Sequence, residues 1–187
     1  METSLNKKAS KTVDRLWTRR YKCICLGEWA VGKTSIVKRF CDGTFSETYL
    51  PTIGCDFLTK IIKIENEIIK LIIWDIAGQR LFASFRRDFY EGAQGALLIF
   101  DVTRPETLQP LKEWREETLN VCGEIPFVMC ANKIDLESMI SKIEAQKFAE
   151  KIDTPLKYTS AKTGEKIEEA FTLLVQKIHE NEKNQKP

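Results

Sequence analysis

The sequence predicts an α/β domain of three layers, built on a mostly parallel six-stranded sheet with one antiparallel edge strand and about five helices. Three observations predict it. Apolar, β-branched runs alternate along the chain with segments of helical periodicity, the pattern of a doubly wound sheet. Two such runs, Phe57–Ile64 and Ile68–Trp74, flank only the polar Glu65-Asn66-Glu67, the signature of a hairpin. A glycine-containing segment, Gly27–Thr34, falls between a strand and a helix, where open sheets bind ligands.

Each element follows from its local pattern. Tyr21–Leu26 alternates and is rich in apolar residues, which reads as the first strand, and Lys33–Cys41 has helical spacing. After the hairpin, Leu81–Tyr90 reads as an irregular helix. Gly95–Val102 and Ile125–Ala131 are continuous apolar runs, as expected of strands buried on both faces of a parallel sheet. Helices are expected over about Glu106–Leu119, Ser138–Lys151 and Glu165–Glu182, with a short strand at Leu156–Thr159. The expected organisation is a basic N-terminal extension (1–20), one domain (21–182) and a polar tail (183–187). In the extension, Leu5, Ala9, Val13, Leu16 and Trp17 recur at near-helical spacing among six basic residues. An amphipathic helix touching anionic membrane fits that pattern, but a frayed tail or a short packed helix is the plainer reading.

Composition narrows the classes. The 187 residues are 43% hydrophobic and 30% charged, an ordinary globular balance rather than a disordered one. A net charge of +2 gives no reason to expect a nucleic-acid partner. The six cysteines form no CxxC pair and there is one histidine, so a structural zinc site lacks its ligand spacing. Cys23 and Cys25 alternate along the first strand and read as small buried hydrophobes in a reducing, cytosolic compartment. His179 lies among charged residues and is expected to be a solvated helix residue. No apolar run approaches a membrane span, no signal peptide is visible, and Met1-Glu2 excludes myristoylation.

The chemistry lies in five segments. Gly27-Glu28-Trp29-Ala30-Val31-Gly32-Lys33-Thr34 matches G-x-x-x-x-G-K-[ST] between a strand and a helix. Backbone N–H groups of such a loop and the following helix N-terminus converge on phosphates. Lys33 can reach the β- and γ-phosphate oxygens, and the Thr34 hydroxyl can ligate Mg²⁺, a hard cation that takes oxygen. In Trp74-Asp75-Ile76-Ala77-Gly78-Gln79, Asp75 ends a strand and is expected to face Mg²⁺ through water. Gly78 lets its N–H approach a γ-phosphate, and Gln79 is placed to orient an attacking water. D-x-x-G alone is an ordinary strand-end turn; behind a phosphate loop it is informative.

Asn132-Lys133-Ile134-Asp135 follows the apolar strand ending at Ala131. A carboxylate accepts from both the ring N–H and the exocyclic amine of guanine, a donor pair that adenine does not present. Asp135 is therefore expected to select guanine, with Lys133 laying its stem along the base and bracing the phosphate loop. The alternative, a helix N-cap, uses the same residue types. Ser160-Ala161-Lys162 follows the short strand and offers a backbone N–H to the guanine carbonyl. Thr52, in Pro51-Thr52-Ile53-Gly54, can close over the nucleotide and ligate Mg²⁺ when a γ-phosphate is present.

These elements, in this order, resemble the Ras superfamily of small GTPases over about Tyr21–Glu182. Thr52–Phe57, Lys70–Asp75 and Tyr90–Ala96 resemble the Rab branch. The resemblance implies a P-loop G domain with GTP and GDP as substrate and product and Mg²⁺ as cofactor. It implies that Gly32, Lys33, Thr34 and the neighbouring Ser35 hold phosphate and metal, that Phe45 stacks across guanine and that Tyr49 covers the phosphates. Thr52, Asp75, Gly78 and Gln79 become the switch and catalytic set, with Lys33 also catalytic. Asn132, Lys133, Asp135, Ser160, Ala161 and Lys162 form the guanine pocket. Effectors, an exchange factor and an activating protein are implied near 47–57 and 78–91, on a cytoplasmic monomer.

Three departures from the family pattern stand out. Trp29 occupies a loop position where Ras proteins carry glycine, and an indole there crowds Gln79 or an arginine supplied in trans. Arg80 replaces an acidic residue after the glutamine and reads as a partner contact rather than a charge donor in cis. The tail has no cysteine, so a prenyl anchor is not inferred and peripheral membrane contact stays open. The leading reading is a slow GTPase switch. The alternatives are a GTP-binding module that hardly hydrolyses, and a P-loop kinase or ATPase, against which the guanine-reading set argues.

Overall fold

The computed structural model describes residues 17–48, 51–78 and 83–184. Six strands form one sheet: β1 (Arg19–Leu26), β2 (Cys55–Ile64), β3 (Glu67–Ile76), β4 (Gly95–Asp101), β5 (Phe127–Asn132) and β6 (Leu156–Thr159). Their order is β2-β3-β1-β4-β5-β6. The β2–β3 hairpin is antiparallel and the other pairs are parallel. Among the described residues five α-helices connect them: α1 (Lys33–Asp42), α2 (Ala83–Tyr90), α3 (Leu111–Cys122), α4 (Lys142–Lys151) and α5 (Ile167–Asn184). The fold class, the antiparallel edge and the helix number agree with the sequence.

The apolar runs explain the layers. β4 and β5 are buried along their whole length because helices cover both faces. One face packs against α1 and α5 through Ile36, Val37, Phe40, Phe171, Leu174 and Val175. The other packs against α2, α3 and α4 through Tyr90, Leu111, Trp114, Ala145 and Phe148. The phenyl rings of Phe40 and Phe171 stack with centroids 3.9 Å apart and join α1 to α5. Phe171→Ala is expected to cost about 3–5 kcal/mol through lost burial and a cavity. Urea denaturation checks this: the midpoint falls while the slope is unchanged.

Four local differences from the sequence reading have physical causes. β1 starts at Arg19, two residues early, because Arg19 pairs with both Glu67 and Glu182 and joins the sheet. The third helix starts at Leu111 rather than Glu106. Pro110 has no N–H to return to Glu106, so Pro105–Thr107 forms a separate 3₁₀ turn. The fourth starts at Lys142 rather than Ser138, because Ser141 caps it by accepting from the Glu144 N–H at 3.1 Å.

His179 is the fourth, and its expected solvation is wrong: it is buried, and its Nδ1 lies 2.9 Å from the Tyr21 hydroxyl. The helical register carries the core stripe Phe171, Val175, Ile178 one residue further, onto the histidine. The buried thiols behave as expected of small hydrophobes: Cys23, Cys25 and Cys130 are fully enclosed, and burial pushes the Cys130 thiol up to about 12. Among the described residues no helix is long and apolar enough to cross a membrane. The greater part of the expected N-terminal extension lies outside the described residues.

Candidate functional site

The strand order reverses around β1, which has β3 on one side and β4 on the other. Ligands bind outside the carboxyl ends of strands at such a point. A cavity of about 420 Å³ lies there, within the range of small-molecule sites. The loops after β1, β3, β5 and β6 all reach it, because parallel strands bring their carboxyl ends to one edge.

At one end stands the loop between β1 and α1. Trp29, Ala30, Gly32, Lys33, Thr34 and Ser35 line the cavity. Gly27, Glu28 and Val31 stand behind them, with Val31 fully buried. Lys33 is 6% exposed, and its ammonium donates to the carbonyls of Gly27 at 2.9 Å and Glu28 at 2.8 Å. The loop thus curls around its own lysine. Gly78 approaches from the end of β3: a Cβ there would stand 2.5 Å from the Gly27 oxygen and from Lys33 Nζ. Only glycine allows that backbone to come so close.

Asp75 is almost wholly enclosed at the floor, 1% exposed. Its Oδ2 accepts from the hydroxyls of Thr34 and, at 3.2 Å, Thr52, which are 2.9 Å apart. Its Oδ1 is buried without a hydrogen-bond partner. Burial pushes the Asp75 carboxyl above the usual carboxylate range, opposed by the Thr34 hydroxyl and the Lys33 ammonium. An orphaned carboxylate oxygen beside two hydroxyls is a hard oxygen donor set, and it fits Mg²⁺. Among the described residues no cluster of three His, Cys, Asp or Glu side chains could hold a metal unaided.

At the other end, Phe45, Asn132, Lys133, Asp135, Ala161 and Lys162 line the cavity. Ser160 acts from behind, its hydroxyl donating to Asp135 Oδ1 at 2.5 Å. One expectation, that Lys133 braces the phosphate loop, is corrected here. The side chain that braces the phosphate loop is Asn132, whose amide donates to the Val31 carbonyl at 2.8 Å. Lys133 turns instead to Asp101, with Nζ 2.6 Å from its carboxylate. The N–H groups of Ser160 and Ala161 are engaged inside the protein, on Glu165 O at 3.1 Å and Asn132 Oδ1 at 3.2 Å. This loop therefore first holds the Asn132 motif in place.

Several supporting residues escaped the sequence reading. Arg39, on α1, donates to the carbonyls of Ala161 at 2.8 Å and Lys162 at 2.5 Å, stapling that helix to the base loop. Asp101 anchors Lys133 and accepts from the Thr103 hydroxyl at 2.7 Å. Lys38, Ser46, Glu47, Thr48 and Leu136 also line the cavity, and Glu47 pairs with Lys162 across its mouth at 3.2 Å. None carries a spacing signature. Tyr49, Gln79 and Arg80 lie outside the described residues.

Beside the site, β2 and β3 carry an aromatic row. Phe57, 63% exposed, stacks on Trp74 at 6.0 Å, and Trp74 meets Phe89 at 6.3 Å. Ile53 and Ile61 are also exposed. Trp74 and Phe89 are partly buried against the core, so the row runs from the exposed Phe57 into the domain.

Comparison with known proteins gives a consistent match. The model of the Ras family matches residues 22–180. The chain is 37% identical over 172 residues to "Ras-related protein Rab-4A" of Danio rerio, covering 90% of this chain and 79% of that protein. It is 38% identical over 171 residues to "Ras-related protein Rab7" of Cenchrus ciliaris, covering 86% of this chain and 83% of that protein.

Proposed function

This chain belongs to the Ras family, and on that premise we propose that it is a Rab-like small GTPase that cycles between GTP and GDP as a molecular switch in membrane trafficking or signalling. One observation carries the proposal. At one end of a single cavity is a curled, lysine-bearing loop, whose Thr34 donates to the buried Asp75 carboxylate with one unpartnered oxygen, and at the other is Asp135. Those ends match the two ends of a guanine nucleotide.

The residues divide the work by position. The amides of Ala30 to Ser35 and the α1 N-terminus receive the phosphates. Lys33 exchanges its carbonyl partners for phosphate oxygens. Thr34, Thr52 and Asp75 would hold Mg²⁺, which would supply charge neutralisation to the phosphates. Asp135 accepts from the guanine edge, oriented by Ser160, while Phe45 and the stem of Lys133 flank the ring. Gln79 orients the attacking water, and the Lys33 ammonium stabilises charge that moves toward the leaving oxygen. Thr52 and Gly78 sense the γ-phosphate, so its loss releases the segments 47–57 and 78–91. The row Phe57–Trp74–Phe89 is the surface on which effectors, an exchange factor and an activating protein read that change.

Nucleotide competition tests this reading. GTP is expected to displace bound GDP, and ATP at comparable concentration is not; displacement by ATP would remove Asp135 as the selector.

A second reading, a GTP-binding module with little hydrolysis, has its own observation. Trp29 lines the cavity and is 53% exposed, and on this reading its indole occupies the approach that a partner's arginine would take. Such an arginine contributes about 10³–10⁵ in rate. Trp29→Gly is expected to raise the activator-stimulated rate of single-turnover hydrolysis. An unchanged rate, with and without an activating protein, would eliminate the crowding.

A further inference from the structure

Trp29 does not stand unsupported. The loop after β4 reaches across to it and grips it twice. The Arg104 guanidinium lies over the indole, 4.8 Å from the ring centroid, and its NH1 donates to the Trp29 carbonyl at 3.1 Å. Arg104 is itself fixed. Its Nε donates to Glu106 at 3.0 Å, and its own N–H donates to the Asp101 carbonyl at 3.0 Å. The neighbouring Glu28 is held from α3, where Trp114 Nε1 donates to its carboxylate at 3.4 Å. The phosphate loop is thus tied at two successive residues to one side of the site.

A planar guanidinium over an indole is a favoured contact, and the hydrogen bond to the carbonyl fixes the backbone beneath it. Trp29 is more than half exposed, at the cavity it lines with Lys33 and Gly78, and its indole carries the arginine over its ring. Freed of the arginine, a large apolar side chain on this loop is able to fold inward over the cavity it already lines. That is the space an attacking water must use.

We propose that Arg104 is a positioning residue that parks the Trp29 indole against the β4–α3 loop and so keeps the γ-phosphate face open. The proposal rests on the GTPase reading for its effect on rate, but the parking itself does not. It also gives Trp29 two positions: parked, where slow intrinsic hydrolysis proceeds, and inward, where it does not. A partner that engages Arg104 or Glu106 shifts that balance without touching the nucleotide.

The test uses the full chain with 5-fluorotryptophan at its four tryptophans. The Trp29 ¹⁹F resonance is assigned by its loss in Trp29→Phe. In Arg104→Ala that resonance is expected to move and to lose part of its solvent isotope shift, while the other three stay. Arg104→Lys, which keeps a cation but not the planar fork, is expected to fall between. Single-turnover GTP hydrolysis is expected to slow about two- to fivefold in Arg104→Ala, the size of one lost cation–π contact at an exposed site. In a Trp29→Gly background the same replacement is expected to change nothing. An unmoved Trp29 resonance overturns the parking. Hydrolysis that is unchanged or faster in Arg104→Ala, or equally slowed in both backgrounds, overturns the positioning role. GDP retention is measured on the same samples. If the parent chain does not retain GDP, the GTPase reading fails, and the ¹⁹F result still decides whether Arg104 parks the indole.

Discussion

Asp135→Asn is expected to lower the affinity for GDP by roughly 10³-fold or more, the scale on which sites built to pair a polar edge reject its mismatch. The reason is donor and acceptor count. An ionised carboxylate only accepts, with about four lone-pair sites, and guanine presents two donors side by side. Ser160 holds one carboxylate oxygen at 2.5 Å and sets its plane. An asparagine in the same place turns an N–H₂ toward one guanine donor, leaving both without partners in a desolvated cleft. The amide offers one acceptor beside one donor. It therefore suits a base with a ring N–H beside a carbonyl, such as xanthine. Isothermal titration with GDP and XDP checks both halves: GDP binding collapses while XDP binding strengthens. Retained GDP affinity would mean that Asp135 does not face the base.

Gly27→Ala is expected to cost more than about 4 kcal/mol and to leave little folded protein, because two penalties coincide. Gly27 has φ +139°, a conformation that an L side chain rarely adopts. A Cβ there would stand 2.1 Å from the Ile99 carbonyl oxygen, in the fully buried β4 strand. Backbone of a central strand cannot yield as the end of a flexible side chain does. Gly43→Ala is the control. It also has a positive φ, +69°, but nothing lies within 4 Å of its Cβ, so only a modest loss is expected. Thermal unfolding by circular dichroism separates the two. Equal losses would mean that conformation, not contact with β4, decides the effect.

The fold was legible because its signals are local. Continuous apolar runs at Gly95–Val102 and Ile125–Ala131 identify strands buried on two faces, and Glu65-Asn66-Glu67 marks the hairpin. The lining residues were legible for a related reason. Lys33, Thr34, Gly78, Asn132 and Asp135 sit at fixed spacings beside strand ends, and parallel strands gather those ends. The supports were not legible. Arg39 reaches Ala161 and Lys162, Asp101 reaches Lys133, and Arg104 reaches Trp29 across loops far apart in sequence. No spacing rule joins them; only the completed sheet does. Lys133 shows the limit from the other side, since it was expected to brace the phosphate loop and its ammonium instead pairs with Asp101. His179 was misread for a different reason. Its charged neighbours outweighed the helical period, although Phe171, Val175 and Ile178 already pointed to it.

The measurement closest to the centre of this reading is the content of the purified chain itself. Protein prepared in magnesium is denatured, and the released small molecules are identified by mass. The expected result is GDP or GTP in stoichiometric amount, lost when the metal is chelated. A chain that releases no guanine nucleotide, and fails to retain added GDP with magnesium present, would contradict the assignment of this cavity.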